Sequence, residues 1–441
     1  MTRSTIFQDT IFALSSGAPP SGVAVVRISG PHAHTAARDI AGKLPILGTF
    51  AVRNLRMSTG ELIDRGIVLS FAGPHSFTGE DCVEIQMHGG KAVITALLEA
   101  LASMPGLRQA EAGEFARRAF LNGKLELTEV EALADLLLAE TETQRRLAVA
   151  NAEGAQGELY GQWRHRLLHA RAMLEAELDF ADESDVPGSV AGDVWKDLEG
   201  LRESILSHSE GYRAAQIIRD GFRVVIAGRP NAGKSSLLNA LAQREAAIVT
   251  DVPGTTRDLV EVVLDLNGVK VILTDTAGIR ESQDRVEQIG VERARRAVGS
   301  ADFVIHLIEP GDNSPLDLGQ TVEELVVRSK IDVMRPSACD KILGISVLTG
   351  EGVDRLLARI SEAAMASAGD ISTVLPSRLR HVTLLREAAV HISNAIEANA
   401  EFLELQAEEL RLASRALGRI VGEIGTEDVL GVIFSEFCIG K

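Results

Sequence analysis

The sequence predicts a multidomain protein of α/β and α architecture, in which a doubly wound α/β domain interrupts an α-helical one. Residues 218–365 alternate between apolar strand-like runs and helical patterns, which is typical of nucleotide-binding domains. Residues 121–217 and 366–441 show only the periodicity of helices, whereas residues 1–120 mix both patterns. We therefore expect four segments with these bounds, the two helical ones forming a single discontinuous domain.

Length and charge restrict the kind of protein this is. The chain has 441 residues, which is more than one hydrophobic core normally uses, and a net charge of −17. An acidic protein repels nucleic acid on average, so any RNA contact must use a local basic face or a partner protein. Aromatic residues make up only 4%, which excludes a platform that stacks single-stranded bases.

The sequence predicts neither a targeting segment nor a cysteine-based site. Cys82, Cys339 and Cys438 are too few and too scattered to predict a disulfide framework or a zinc site. No apolar stretch approaches the ~20 residues of a membrane-spanning helix, and no signal-peptide core follows the N-terminus. We expect a cytoplasmic protein that does not bind a membrane.

The N-terminal segment carries three apolar runs that predict strands. They cover residues 23–28, 66–71 and 82–87, and a helical pattern follows from Lys91 to Ser103. His88 precedes two glycines and is interpreted as a turn residue. Arg27 and Glu84 lie on predicted strands without a visible partner, so the residues alone suggest ordinary surface charges.

The next segment is predicted to be helical. Thr128 and Glu131 have the spacing of a capping box, with Thr128 as the cap. One helical stripe is predicted from Leu133 through Leu137 to Leu147, and others over residues 163–178 and 195–205, with a loop over residues 182–193. Three arginines on the second stripe are interpreted as a solvated helix face: Arg164, Arg166 and Arg171.

After residue 366 the helical pattern returns. Apolar positions predict one helix around residues 384–403 and another around residues 410–421. Thr426 is placed to cap a last helix.

The strongest motif is a phosphate-binding loop. Residues 228–236 read G-R-P-N-A-G-K-S-S, between a predicted strand at 224–227 and a predicted helix from Leu237. Backbone N–H groups of such a loop surround phosphates, and the helix N-terminus adds partial positive charge. Lys234 would reach the β- and γ-phosphates, and Ser235 would ligate Mg²⁺. The predicted nucleotide-binding positions here are Asn231, Ala232, Gly233, Lys234, Ser235 and Ser236.

Further segments follow in the order that a Ras-like GTPase requires. Thr256 can complete the Mg²⁺ shell, Asp275 can hold Mg²⁺ through water, and Gly278 can bind the γ-phosphate. Asp332 can accept from guanine N–H groups, with Lys330 along the base. The remaining predicted nucleotide-binding positions are Thr250, Asp251, Val252, Pro253, Gly254, Thr255, Thr276, Ala277 and Ser329.

Two positions depart from common GTPase patterns. Ser329 stands where guanine-recognition motifs carry Asn, so we expect guanine preference with weaker affinity. Ile279 stands where signalling GTPases carry the water-orienting Gln, so catalysis needs another group. Carboxylates that could act are Glu281, Asp284 and Glu287, and the Asn231 amide oxygen would suit a monovalent cation.

Motifs at both ends of the chain add a specific resemblance. They are V-R-I-S-G-P at 26–31, F-T-G-E-D at 77–81, H-G-G at 88–90, G-E-F at 113–115, R-A-F-L-N-G-K at 118–124 and F-C-I-G-K at 437–441. With the GTPase motifs, they make the whole chain similar to the MnmE (TrmE) family, GTPases that modify tRNA uridine.

The resemblance implies an N-terminal domain that dimerises and binds 5-formyltetrahydrofolate, with contacts from Arg27, Glu84, Lys124 and Lys441. It also implies K⁺-dependent GTP hydrolysis. The implied K⁺ ligands are Asn231, Thr250, Val252 and Thr255, and Glu287 would orient the attacking water.

The implied product is an aminomethyl-type group, such as carboxymethylaminomethyl, at C5 of the wobble uridine of certain tRNAs. The homodimer would work with the flavoprotein MnmG in a heterotetramer. Cys438 could act in this chemistry or be a packing thiol.

A different class of function remains open from the GTPase motifs alone. Ribosome-assembly GTPases of the Era or Der type share the phosphate loop and the Asp-Thr-Ala-Gly segment. They lack the N-terminal domain expected here.

Overall fold

The computed structural model describes residues 7–179, 190–244, 246–248, 261–275, 299–312, 322–335, 342–370, 373–398 and 402–422, together with 433, 434, 437 and 440. Two compact units divide the chain. Unit one comprises Met1–Ala134, Asn151–Ala172 and Leu410–Lys441, and unit two comprises Asp135–Ala150 and Met173–Glu409.

A six-stranded sheet forms the N-terminal part of unit one. Its strands are β1 (Thr10–Leu14), β2 (Ser21–Ser29), β3 (Phe50–Arg56), β4 (Leu62–Phe71), β5 (Cys82–Gly89) and β6 (Leu107–Gln109). Their order is β3-β4-β5-β2-β1-β6, and all neighbours are antiparallel except β1 and β6. The helices α1 (Ala33–Ala41) and α2 (Lys91–Ala102) contribute buried side chains to the core of this sheet.

The three predicted strands and the helix from Lys91 are confirmed, but the interpretation of His88 is wrong. His88 belongs to β5, and its Nδ1 lies 2.9 Å from Asp64 Oδ1 on β4.

Sequence reasoning missed β1, β3 and β6. Most of β3 is exposed or half-buried, so it lacks the apolar run that indicates a strand.

Helices follow as predicted, with different bounds. They are α3 (Glu114–Leu121), α4 (Leu127–Leu138), α5 (Glu142–Ala152), α6 (Ala155–Asp179), α7 (Val190–Glu210) and α8 (Tyr212–Asp220). The single stripe from Leu133 to Leu147 is wrong, because α4 ends before α5 begins. Residues 190–193, predicted as loop, belong to α7.

The predicted capping box is also wrong. Since α4 begins at Leu127, Thr128 lies inside the first turn and is buried. Instead, Glu129 Oε2 accepts a hydrogen bond from the Glu126 N–H at 2.8 Å. Glu126 is therefore the cap residue, two positions before the predicted Thr128. The Glu129 carboxylate, three residues after it, satisfies its N–H.

Unit two contains a second six-stranded sheet. Its strands are β7 (Phe222–Ala227), β8 (Glu261–Leu266), β9 (Val269–Asp275), β10 (Phe303–Ile308), β11 (Glu323–Arg328) and β12 (Leu343–Gly344). The order is β12-β11-β10-β7-β9-β8, and only the β8–β9 pair is antiparallel. Asn267 and Gly268 join that hairpin with φ of 54° and 86°, the positive values that two-residue Asn-Gly turns require.

The remaining helices are α9 (Lys234–Ala242), α10 (Val353–Ala368), α11 (Leu379–Glu397) and α12 (Leu403–Val421). The helical pattern predicted near both C-terminal stripes is confirmed. The predicted segment bounds at 217/218 and 365/366 fall within α8 and α10. The helix expected after Thr426 lies outside the described residues, apart from a few positions. Among the helices described, none has the length and apolarity needed to cross a bilayer.

A half-buried histidine of α7, His208, makes the stability of unit two depend on pH. Burial, with a contribution from His381 of α11, lowers the pKa of His208 to about 4. The unfolded chain takes up this proton near pH 6.5, so stability is present above that pH and is lost as the pH falls towards 4. Between pH 7 and pH 5, His208 should cost about 2 kcal/mol of unfolding free energy.

Replacing His208 by glutamine should remove that part of the pH dependence. Urea unfolding at pH 7 and pH 5 measures it, with His165→Gln, at an exposed position of α6, as the matched control. Equal pH dependence in the wild type and His208→Gln would contradict this assignment.

Candidate functional site

The phosphate loop lies at the carboxyl end of β7, in the middle of the second sheet. Gly228 follows the strand where β10 approaches closely, since a Cβ there would come within 2.4 Å of the Leu307 carbonyl oxygen. Gly233 has a φ of 94° and directly precedes α9, a left-handed conformation that favours glycine. The loop therefore leads straight into a helix N-terminus, the arrangement that binds phosphate.

Lys234 is the central cation of this loop. Its side chain is buried, and Nζ donates to the Gly228 carbonyl at 2.8 Å and the Arg229 carbonyl at 3.0 Å. Burial lowers the pKa of Lys234, and the negative charge of Asp275 opposes that shift. The ammonium group is thus held among loop carbonyls, where phosphate oxygens would be favourable partners.

Ser235 and Asp275 meet between the start of α9 and the end of β9. Ser235 is the second residue of α9, Asp275 ends β9 beside β7, and Ser235 Oγ donates to Asp275 Oδ2 at 2.6 Å. A hydroxyl and a carboxylate are hard oxygen ligands of the kind that Mg²⁺ prefers beside substrate phosphates. These residues fit the predicted Mg²⁺ position.

The predicted base-recognition segment follows β11. The buried Ser329 hydroxyl donates to the Ile308 carbonyl of β10 at 3.1 Å, so it is engaged with the sheet. Lys330 has a φ of 55°, and its Nζ donates to the Asn231 carbonyl at 2.7 Å. Asp332 is exposed. The structure thus joins Lys330 to the phosphate loop, although 99 residues separate the bonded pair in sequence.

Glu309 is a residue of this region that sequence reasoning missed. It follows β10, and its Oε1 lies 2.6 Å from Lys330 Nζ. One feature could have indicated Glu309: it directly follows a wholly buried parallel strand, at the edge of the sheet where ligands bind.

Several predicted positions lie outside the described residues. They are Thr250, Asp251, Val252, Pro253, Gly254, Thr255, Thr256, Thr276, Ala277, Gly278 and Glu287, with Cys438 and Lys441 at the C-terminus.

Unit one contains a second candidate site, centred on Arg27 and Glu84. The interpretation of these as charges without partners is wrong, because they lie directly opposite each other on β2 and β5. Arg27 Nε donates to Glu84 Oε1 at 2.9 Å, and its guanidinium lies 4.8 Å from the Phe77 ring centre and 5.5 Å from that of Phe115. Each charged side chain remains 20% exposed, so both can reach a ligand.

Lys124, and Gly440 before Lys441, lie beside elements of this site. A Cβ on Gly79 would lie 3.1 Å from Lys124 Cγ, so the Lys124 stem packs beside the loop that carries Phe77. A Cβ on Gly440 would clash with the Leu14 carbonyl of β1, the strand that pairs with β2. The residue before Lys441 is therefore packed against the strand next to Arg27.

A buried ion cluster supports the loop that carries Phe77. Arg118 is fully buried, and its guanidinium contacts Asp9, Glu80 and Glu114 at 2.9–3.2 Å. Glu80 Oε2 also accepts from Ser29 Oγ at 2.7 Å. The cluster fixes residues 78–80 against β2.

Two family models match the chain. The one described as MnmE helical domain matches residues 127–438, and the one described as GTP-binding protein TrmE N-terminus matches residues 10–124.

Curated relatives match along the full length. The tRNA modification GTPase MnmE of Mesorhizobium japonicum is 54% identical over 441 residues, covering 98% of this chain and 99% of the relative. That of Sinorhizobium medicae is 53% identical over 440 residues, covering 99% and 100%.

Among solved structures, the G domain of the T. maritima FeoB iron transporter is 27% identical and covers 33% of this chain and 99% of its own. Its TM-score of 0.25 is too low to add to the assignment.

Proposed function

Because this chain belongs to the MnmE family of tRNA modification GTPases, we propose that its GTP hydrolysis depends on K⁺ and drives modification of the wobble uridine. With the flavoprotein MnmG, it would install carboxymethylaminomethyl-type groups at C5 in certain tRNAs. The Era- or Der-type alternative has no support beyond shared GTPase motifs, since the matched relatives extend over both helical segments and the N-terminal domain.

The observation that carries the hydrolysis step is the cluster of Lys234, Ser235 and Asp275. Water attacks the γ-phosphorus, the bond to the β–γ bridging oxygen breaks, and GDP and phosphate leave with one proton released. Lys234 stabilises the negative charge that grows on the β- and γ-phosphate oxygens. Ser235 would ligate Mg²⁺, and Asp275 and Thr256 would complete its shell. Bound Mg²⁺ would supply charge neutralisation between the phosphates.

Glu287 would orient the attacking water, because Ile279 has no group that can do so. K⁺ would bind at Asn231, Thr250, Val252 and Thr255, and supply positive charge where other GTPases use an arginine. Hydrolysis rates in equimolar K⁺ and Na⁺ test this proposal, and we expect activation by K⁺ that Asn231→Ala abolishes. Equal rates in the two salts would refute it.

Guanine recognition is proposed to depend on Asp332, because the Ser329 hydroxyl is bonded to the Ile308 carbonyl. A carboxylate accepts from both guanine N–H donors, whereas an amide cannot accept from both in the same geometry. Asp332→Asn should weaken GTP binding about 10–100-fold and leave ATP binding unchanged, since hydrogen bonds to charged groups contribute ~1.5–3 kcal/mol.

Titration with fluorescent GTP and ATP analogues measures both affinities. Asp39→Asn, at an exposed position of α1, is the matched control. Wild-type protein that binds ATP as tightly as GTP would contradict the assigned base specificity.

The Arg27–Glu84 pair is proposed to bind a 5-formyltetrahydrofolate donor, with Lys124 and Lys441. Its guanidinium and carboxylate offer complementary donors and acceptors to a pterin ring, and Phe77 adds an apolar face. Arg27→Ala should weaken binding of 5-formyltetrahydrofolate by at least about tenfold, because it also leaves Glu84 without its ion pair.

Isothermal titration with 5-formyltetrahydrofolate measures this loss, and Arg56→Ala at an exposed position of β3 is the control. Unchanged folate affinity in Arg27→Ala would contradict the assignment of this folate site.

A role for Cys438 is tested by Cys438→Ser, which should impair tRNA modification if the thiol takes part.

We further propose a homodimer formed through the N-terminal segment, a heterotetramer with MnmG, and a cytoplasmic location.

A reconstituted reaction tests the complete proposal. The chain, its flavoprotein partner, GTP, K⁺, Mg²⁺, the folate, an amino donor and unmodified tRNA should yield the C5-modified uridine. Omission of GTP should prevent its formation, and product formed without GTP would contradict coupling to hydrolysis.

A further inference from the structure

Four arginines line one cavity between two helices of unit one. The cavity has a volume of about 330 Å³ and lies between α6 and α12. Its lining residues are Arg164, Leu168 and Arg171 from α6, and Arg411, Ser414 and Arg415 from α12. We call this feature the arginine groove.

The two short stretches that line the groove are basic although the chain is acidic. Residues 159–172 and 410–422 contain no aspartate or glutamate, whereas the whole chain has 62 acidic residues among 441. Both stretches are rich in arginine: Arg164, Arg166, Arg171, Arg411, Arg415 and Arg419. Four guanidinium groups therefore meet at the groove, between the acidic residues at the ends of both helices, and can attract an anionic partner locally despite the net charge of −17.

The helix macrodipole alone does not explain this arrangement. A cation in the last turn of a helix is stabilised by the macrodipole, which accounts for Arg419 of α12. Arg164 and Arg171, however, lie in the middle of the 25-residue α6, where that effect is absent. Arginines of both helices nevertheless line one cavity, which offers an anionic ligand several donors.

The spacing of the arginines suits an extended polyanion. Arg164 and Arg171 are seven residues apart on one helix, which corresponds to about 10 Å along its axis. Arg411 and Arg415, one turn apart, line the opposite wall. Each guanidinium presents planar donors that match phosphate oxygens in pairs. Two opposing lines of arginines therefore suit a chain of successive phosphates better than one small anion.

We propose that the arginine groove binds the phosphodiester backbone of tRNA. This inference rests on the proposed function, because it supplies the basic face that an acidic tRNA-modifying chain requires. Backbone contacts position an RNA without reading its sequence, so the groove would hold the tRNA body and leave the choice of the base to other contacts.

The experiment measures the affinity of the full-length chain for bulk tRNA, taken from cells that lack this protein, over a range of salt concentrations. Arg171→Gln/Arg415→Gln should weaken binding at least about tenfold. It should also reduce the slope of log affinity against log salt by about 1.4–1.8, since each phosphate contact contributes ~0.7–0.9. Arg171→Lys/Arg415→Lys should restore most of that slope.

Arg38→Gln/Arg117→Gln carries the same change of charge at exposed positions of unit one and should leave both quantities unchanged. Thermal unfolding of each variant establishes that the fold is retained. A parallel titration with inorganic phosphate distinguishes a site for small anions: tight saturation by phosphate that displaces no tRNA would overturn the proposal.

Unchanged tRNA affinity in Arg171→Gln/Arg415→Gln would also overturn it, as would a loss confined to binding of an acidic protein partner. Failure of the proposed function would look different. In that case the wild-type chain would not support uridine modification in the reconstituted reaction, whatever its affinity for tRNA.

Discussion

Replacing Lys234 by alanine should lower the rate of GTP hydrolysis by at least about 10²–10³-fold. A single preorganised donor to developing charge is worth that much in other enzymes, and Lys234 is a full cation held in a buried site. Because the same contacts hold the ground-state phosphates, GTP affinity should also fall. Single-turnover hydrolysis at saturating GTP, together with GTP titration, separates the two effects.

Two further variants make this result specific. Lys234→Arg should be nearly as inactive, since the guanidinium is larger than the space between the Gly228 and Arg229 carbonyls that Nζ occupies. Lys91→Ala, at an exposed position at the start of α2, should retain wild-type activity. Hydrolysis by Lys234→Ala within tenfold of the wild type would contradict the assigned role.

Replacing Arg118 by methionine should destabilise unit one by about 3–5 kcal/mol. The change leaves the carboxylates of Glu80 and Glu114, with 4% and 6% exposed side chains, without their buried cation. Burial raises the pKa of Glu114, but hydrogen bonds from Arg108, the Glu111 backbone and Arg118 bring it below its ordinary value, so the carboxylate is charged in the fold. Urea denaturation at pH 7 measures the loss.

Removing one charge with its partner should recover part of the loss. Arg118→Met/Glu80→Gln is therefore expected to be more stable than Arg118→Met alone, whereas Arg38→Met, at an exposed position, should change stability by less than about 0.5 kcal/mol. If the double variant were less stable by the sum of the two single losses, the ion cluster would not act as a unit.

The GTPase domain was largely predictable from the sequence, because its signals are local. The phosphate loop, its preceding strand and Asp275 each occupy a short segment whose neighbours predict its structure. Packing adds what these motifs omit. Glu309 meets Lys330 only because β10 and β11 lie side by side, and the bond from Ser329 to Ile308 has the same origin.

The N-terminal site was predicted only through the family resemblance. Arg27 and Glu84 are 57 residues apart, and their pairing depends on the register of β2 with β5. No local pattern gives that register, since each strand alone could place either face outward. The capping error at Thr128 has a different, local cause: the pairs Glu126/Glu129 and Thr128/Glu131 both have the spacing of a cap and its carboxylate.

Nucleoside mass spectrometry of bulk tRNA tests the central claim most directly. Cells lacking this protein should lose aminomethyl-type C5 modifications at the wobble uridine, the wild-type gene should restore them, and Lys234→Ala should not. A tRNA profile that is unchanged by loss of the protein, or restored equally by Lys234→Ala, would contradict the account.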